Sequence, residues 1–311
     1  MQLAHRLLHP VAQHSRWALI AGLLLGIFVP PLADATKPWI GHWVAILLFL
    51  SAFRVEPRDA FGTLQSIKQS AVFVAVFQML IPTIVALAFL NLSFTGPMAL
   101  ALVIMISSAP ISGSPGLTMI TGNDPAPALR LLIATTALLP LTVLLPFSFM
   151  PEIGNLQDIS WIAFKLFLLI FSAAGLAFGL RYIAMRNPSP DAIKSIDGLT
   201  AISMAAVVIG LMTGLSDAIE NRPTAIIFTL IAAIAVNFGM QLMVWFSTAA
   251  LKLGEARASF AICAGNKNMA IFLAALPASV TDPILLFIAC YQVPMYLTPT
   301  VLGKLYRSQN H

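Results

Sequence analysis

Apolar runs of about twenty residues follow one another along almost the whole chain, separated by short stretches that hold Gly, Pro and charge. A run of that length crosses the hydrocarbon of a bilayer as one helix. Hydropathy and punctuation together place ten spans. They lie at approximately 16–33, 38–53, 69–90, 97–121 and 126–150, then at 160–182, 193–215, 223–249, 256–278 and 282–303. The predicted fold class is an all-α polytopic membrane protein. Trp17 opens an apolar run that carries on through Pro30-Pro31-Leu32. The first span is therefore expected to be retained, although Ala33-Asp-Ala35 imitates a signal-peptidase site.

Two of the spans are interrupted. In the fourth, Met98 to Ile106 runs into Pro110-Ile-Ser-Gly-Ser-Pro-Gly116; in the ninth, Ala264-Gly-Asn-Lys-Asn268 leads into Met269 to Leu276. Hydrocarbon cannot hydrogen-bond a freed peptide group, so a helix breaks at membrane depth only where it packs on protein or lines a cavity. Paired breaks in corresponding places of two halves point to the binding site of a transporter.

Loop charges test the count of spans. With the N-terminus in the cytoplasm, the inner segments hold Arg6, Arg16, Arg54, Arg58, Lys68, Arg130, Arg181, Arg186, Lys194, Lys252, Arg257, Lys304 and Arg307. The outer loops hold Lys37 and Arg222, with Lys165 near the outer end of the sixth span. That bias is what sets orientation, and an extra or missing span would invert it downstream. Ten spans with both termini cytoplasmic, in the plasma (inner) membrane, are expected. Five spans per half give the repeats, about 16–150 and 160–303, opposite orientations within a single transmembrane domain.

Composition agrees and removes other classes. Hydrophobic residues make up 59% of the chain and charged residues 9%, where soluble domains carry about 25% charged residues. The net charge of +5 is spread singly over short loops, which argues against a nucleic-acid partner. The partners expected are the lipid bilayer and a small solute. Cys263 and Cys290 fall within spans, lack metal-ligand spacing and read as small apolar packing residues. The chain has no His-Glu-x-x-His, Gly-x-Ser-x-Gly or phosphate-loop motif, so no enzyme and no cofactor beyond a coupling ion is expected.

The chemistry gathers at the breaks. Pro110 and Pro115 remove backbone donors, and the freed carbonyls with Ser112 and Ser114 offer oxygen ligands of the kind a hard cation needs. The plainer alternative is a kinked helix whose serines bond back to their own carbonyls. In the ninth span, Asn266, Lys267 and Asn268 put two amides and a full charge inside an apolar segment. Lys267 has about ten membrane residues on either side, so it should face a wet cavity or a partner rather than snorkel. Half-helix N-termini and Lys267 converging at mid-membrane would favour an anion. Ser112, Ser114, Gly116, Asn266, Lys267, Asn268 and Gln292 are the candidate substrate-binding residues. Gln78 with Pro82, Thr135-Thr136 with Pro140, Asn237 with Gln241, and Tyr291 are further polar groups in the spans. Each is either an interhelical hydrogen bond or part of the site.

With these motifs in view, the chain resembles the bile acid:sodium symporter family, within the bile/arsenite/riboflavin transporter group, as a divergent member. Ala109-Pro-Ile-Ser-Gly-Ser-Pro-Gly116 is similar to the family's fourth-span break, Cys263-Ala-Gly-Asn-Lys-Asn268 to its ninth-span break, and Gln78 with Pro82 to its third-span glutamine and proline. The resemblance implies broken helices that cross at spans four and nine. It also implies a panel of spans 1, 2, 6 and 7 that moves against a core of spans 3–5 and 8–10. It implies a secondary transporter of small organic anions, bile-acid-like or other carboxylates and sulfonates, with sodium coupled at Gln78, Ser114, Thr135, Thr136 and Asn266.

The pattern departs from the family at two points, the first being that its fourth-span Ser-Asn pair is Ser114-Pro-Gly here, so one amide is missing. The family's ninth-span break follows a glutamate; here the stretch is Ala261-Ile-Cys-Ala264, and no acidic residue lies in any predicted span centre. Two like charges at 4 Å repel by about 4 kcal/mol at an effective dielectric of 20. A sodium-independent alternative follows, proton-linked or exchange, in which the Lys267 ammonium stands in the space of the coupling ion. The reading from another class is a membrane ligand-binding or sensory protein that moves nothing.

Overall fold

The structure is a computed structural model that describes residues 2–55, 64–185, 188–249 and 256–307. The inner-loop residues Arg58, Arg186 and Lys252 lie outside the described residues. Every named secondary-structure element is helical, and six helices are long and apolar enough to cross a bilayer: Ser66–Asn91, Ala126–Phe147, Leu156–Ala184, Pro190–Leu211, Pro223–Ala249 and Ala278–Val301. Large apolar side chains stand exposed along them, Leu176, Phe228 and Phe246 among others, as a multi-pass membrane protein requires.

Of the four remaining predicted spans, the second is covered by the helix Ile40–Arg54 and the other three are interrupted. Residues 17–28 and 30–54 form a pair bent by 109°. Val29 leaves helical geometry at φ −126° and ψ 71° because it precedes Pro30-Pro31, and a residue before proline is pushed out of the α region. The stretch at 97–121 is a helix over Pro97–Ser107 and a short one over Ser114–Ile120. The stretch at 256–278 is a helix over Ala256–Gly265 and one turn over Ala270–Leu273.

The chain divides into two compact units. One holds Met1–Glu56, Leu168–Pro223 and Ala270–Leu276. Its central element is Pro190–Leu211, which packs against the helices of residues 2–54. That helix starts at Pro190, three residues before the expected 193: Ser189 accepts a bond from Ala192 N at 3.2 Å, and Pro190 takes the first helical position. Close approach is set by Gly198, where a Cβ would stand 2.3 Å from the Leu8 carbonyl oxygen. At the other end of the unit's charges, Arg181 donates to the carbonyls of Phe53 and Val55, both at 2.9 Å, and closes the C-terminus of residues 40–54.

The other unit holds Pro57–Phe167, Thr224–Met269 and Pro277–His311. Its core joins Phe73, Phe77, Leu131, Val244, Trp245 and Tyr306 to the run Ala258 to Ala264. Every residue from Ala258 to Gly265 is buried, because the small side chains of that run let neighbouring helices close on it. In Ser66–Asn91 the turn over Val74–Leu80 is a π-helix, with Ile81 N bonding Val76 O. Pro82 cannot donate to the carbonyl of Gln78 and crowds it, so the turn ahead of the proline widens.

Candidate functional site

Both interruptions lie in the second unit, and the backbone joins them. Ile111 N donates to Asn266 O at 2.9 Å and Asn268 N donates to Ala109 O at 2.7 Å, which pairs Pro110 with Lys267 in an antiparallel bridge. Pro110 fits this place because the flanking residues make the bonds, and its missing N–H is not called on. Two breaks that would each leave peptide groups bare thus satisfy one another. The entry into the first break is held as well: Gly96, at φ 102°, precedes the Pro97–Ser107 helix and donates its N–H to the Glu152 carboxylate.

Lys267 crosses the bridge. Its side chain is 1% exposed, and Nζ donates to Ser108 O at 2.9 Å. Ser108 is the extended residue that ends Pro97–Ser107, so the ammonium sits at a helix C-terminus, where orphaned carbonyls attract positive charge. The Phe73 ring lies 5.9 Å from Nζ, within cation–π range. Lys267 is the one charged side chain that is buried among the described residues, so it has no buried carboxylate as counter-ion there.

Side chains of neighbouring helices complete the ninth-span break. Asn237 Nδ2 donates to Gly265 O at 2.7 Å, and the Tyr291 hydroxyl donates to the same oxygen while accepting from Lys267 N at 3.4 Å. Asn266 is fully engaged, with Oδ1 accepting from Thr298 Oγ1 at 3.1 Å and Nδ2 donating to Ile262 O at 2.9 Å. Gln241 Nε2 reaches both Asn237 Oδ1 at 2.7 Å and Thr298 Oγ1 at 3.1 Å, and its Oε1 accepts from Tyr306 at 2.9 Å. Asn237 with Gln241, and Tyr291 with Thr298, are spaced four and seven residues apart and so share helix faces.

The other expected residues divide into three groups. Gln78 is fully buried and donates from Nε2 to Thr135 O at 2.9 Å, while its Oε1 has no partner. Ser114 Oγ is also buried without a hydrogen bond of regular geometry, although the Cys263 thiol lies beside it; Ser107 Oγ is likewise unpartnered. Ser112 and Asn268 are half-buried, and Gly116 is exposed with nothing within 4 Å of where a Cβ would stand. Gln292 donates back to Ile288 O at 3.3 Å, and no hydrogen bond joins it or Thr136 to the crossover among the described residues. Thr135 Oγ1 bonds back to Leu131 O within its own helix.

Gln78→Leu removes one bond and one orphaned acceptor together. It is therefore expected to change stability by less than about 1 kcal/mol, read as thermal unfolding in detergent. A loss of several kcal/mol would mean that Oε1 has a partner.

Reasoning from sequence missed Ser108, whose contribution is a carbonyl, together with Thr298 and Tyr306. The i, i+7 spacing of Tyr291 and Thr298 was the available signal for the second. The chain matches no protein-family model and no curated relative.

Proposed function

We propose that the protein is a secondary transporter of small organic anions, such as carboxylates or sulfonates, of the bile acid:sodium symporter type. It has ten spans in two inverted repeats, with both termini cytoplasmic. The observation that carries this reading is the antiparallel pairing of two interrupted apolar helices at Pro110 and Lys267. A structural membrane protein has no use for two such breaks, whereas a transporter needs polar backbone at depth where a solute is held. Ser112 and Asn268, both half-buried, offer polar groups in the two breaks.

Sodium is the coupling ion that the resemblance implies. A specific observation favours the sodium-independent reading: Lys267 Nζ caps the carbonyl end of Pro97–Ser107, a place a cation would otherwise occupy. No buried carboxylate among the described residues supplies the negative field that a sodium site uses.

Uptake of an anion panel into proteoliposomes tests the reading, and flux of at least one anion above protein-free vesicles is expected. Binding without flux would establish the sensory alternative instead. Gly116→Leu is expected to cut that flux at least about tenfold while leaving thermal stability unchanged, because its Cβ enters open space. Unchanged flux in that variant would move the solute site away from the crossover.

A further inference from the structure

Tyr306 ties a segment outside the predicted spans to both interrupted ones. It lies on the short helix Gly303–Arg307 between the exposed Lys304 and Arg307, yet it is 0% exposed. Three contacts hold it, all within the second unit. Its ring stands 5.1 Å from that of Trp245, and Trp245 in turn has the Arg257 guanidinium 3.8 Å from its ring and accepts from Arg257 Nε at 2.7 Å. Arg257 belongs to the first turn of Ala256–Gly265, the helix that runs into the ninth-span break. The Tyr306 carbonyl accepts from Asn123 Nδ2 at 3.4 Å, on the turn that follows the fourth-span helix Ser114–Ile120. The phenol O–H donates to Gln241 Oε1 at 2.9 Å.

From that phenol the donors run one way. Gln241 Nε2 donates to Asn237 Oδ1, and Asn237 Nδ2 donates to Gly265 O. Gln241 Nε2 also donates to Thr298 Oγ1, which shares its own proton between Asn266 Oδ1 and Pro294 O, both at 3.1 Å. The sense is fixed at the far end. A backbone carbonyl only accepts, so Asn237 must turn its NH₂ to Gly265 O and its oxygen to Gln241. Gln241 must then turn its oxygen to Tyr306, and only a donor completes the row there. Asn237, Gln241 and Trp245 follow one another at four-residue intervals on Pro223–Ala249, so the row and the stacked ring share a helix face. The stem of Gln241 packs directly on Gly265, where a Cβ would stand 2.3 Å from Cγ. The orientation of its terminal amide is the freedom that remains. Removing the phenol proton leaves Oε1 a buried, bare acceptor, and the loss weakens every later bond in the row.

We propose that Gly303–Arg307 is a strap that orders both breaks, with Tyr306 as its positioning residue. The ring and the carbonyl dock the segment. The phenol O–H sets the Gln241 and Asn237 amides, and through them Gly265 and Asn266. Docked, the strap holds the crossover; undocked, it frees the end of the fourth-span helix and loosens the ninth-span break. The inference uses neither a transported solute nor a coupling ion, so it stands apart from the transporter reading.

Amide hydrogen exchange of the full-length protein in lipid nanodiscs, at one fixed pH, tests the strap on peptides covering 116–124, 262–270 and 302–307. Tyr306→Phe keeps the ring and the carbonyl and removes only the donor. Exchange at 262–270 is expected to rise about tenfold, the effect of one orphaned buried acceptor, with the other two peptides unchanged. Tyr306→Ala removes the docking ring as well and should raise exchange in all three. A role in packing alone would leave Tyr306→Phe like wild type at 262–270, and that result overturns the proposal. A rise in Tyr306→Phe confined to 302–307 overturns it as well. Action through Gln241 is read from a double-mutant cycle: in a Gln241→Leu background, Tyr306→Phe should add nothing further at 262–270. A further rise of the same size would remove the positioning role. If Gln241→Leu does not fold, the side-chain amide resonances of Gln241 in wild type and Tyr306→Phe replace the cycle, and unchanged resonances overturn the proposal. Absence of anion flux would sink the transporter reading and leave these results standing.

Discussion

Gly265→Ala is expected to destabilise the protein by about 3 kcal/mol or more, the upper range for forcing atoms into a packed interior. A Cβ there would stand 2.3 Å from the Asn237 carbonyl oxygen and 2.3 Å from Gln241 Cγ. The first is backbone in the middle of a long helix and has no room to retreat. The second belongs to the side chain that links Asn237, Thr298 and Tyr306. Unfolding in detergent should show a midpoint lowered by about 6 °C or more. A midpoint within about 2 °C of wild type would mean that the break is looser than described. Gly116→Leu, with open space at its Cβ, is the matched control.

The second large effect concerns the Gly265 carbonyl, which accepts from both Asn237 and Tyr291. A carbonyl has two lone pairs, so either donor alone still satisfies it. Asn237→Leu and Tyr291→Phe should therefore cost about 1 kcal/mol each, the usual net value of a buried bond. The double variant leaves the oxygen bare at membrane depth and should cost about 3 kcal/mol, which exceeds the sum. A double-mutant cycle by denaturant titration in mixed micelles reads the excess. Additive, near-zero losses would contradict the network, since isolated polar contacts in membranes average only about 0.6 kcal/mol.

What was legible in the sequence follows the physics of the solvent. Long apolar runs bounded by charge announced the six long helices, since lipid allows no alternative for them. The Pro-Ile-Ser-Gly-Ser-Pro-Gly and Gly-Asn-Lys-Asn stretches announced the breaks, because nothing but function or a partner repays such residues at depth. Gln78 was legible through Pro82, whose missing donor widens the turn that buries the amide.

Other features had no local signature. The 109° bend after Phe28 was hidden because Pro30-Pro31 reads equally well as the end of a span. The partner of Lys267 was hidden because it is a backbone oxygen, which every residue carries. Tyr306 falls after the last predicted span, among Lys304 and Arg307, where an interfacial residue is the ordinary expectation. Gln292, and not Tyr291, was the expected binding residue, but adjacent residues on a helix point to different sides, and it is Tyr291 that bonds the break. The +5 net charge led to an expected topology and said nothing of Lys267, the one lysine buried among the described residues.

The central proposal is that this chain carries anions with Lys267 in the place of a sodium ion. Solid-supported-membrane currents, recorded across an anion panel with sodium and pH varied independently, test it most directly. The expected result is current that persists when choline replaces sodium, changes with pH, and disappears in Lys267→Met. Current that requires sodium and is untouched by Lys267→Met would contradict it.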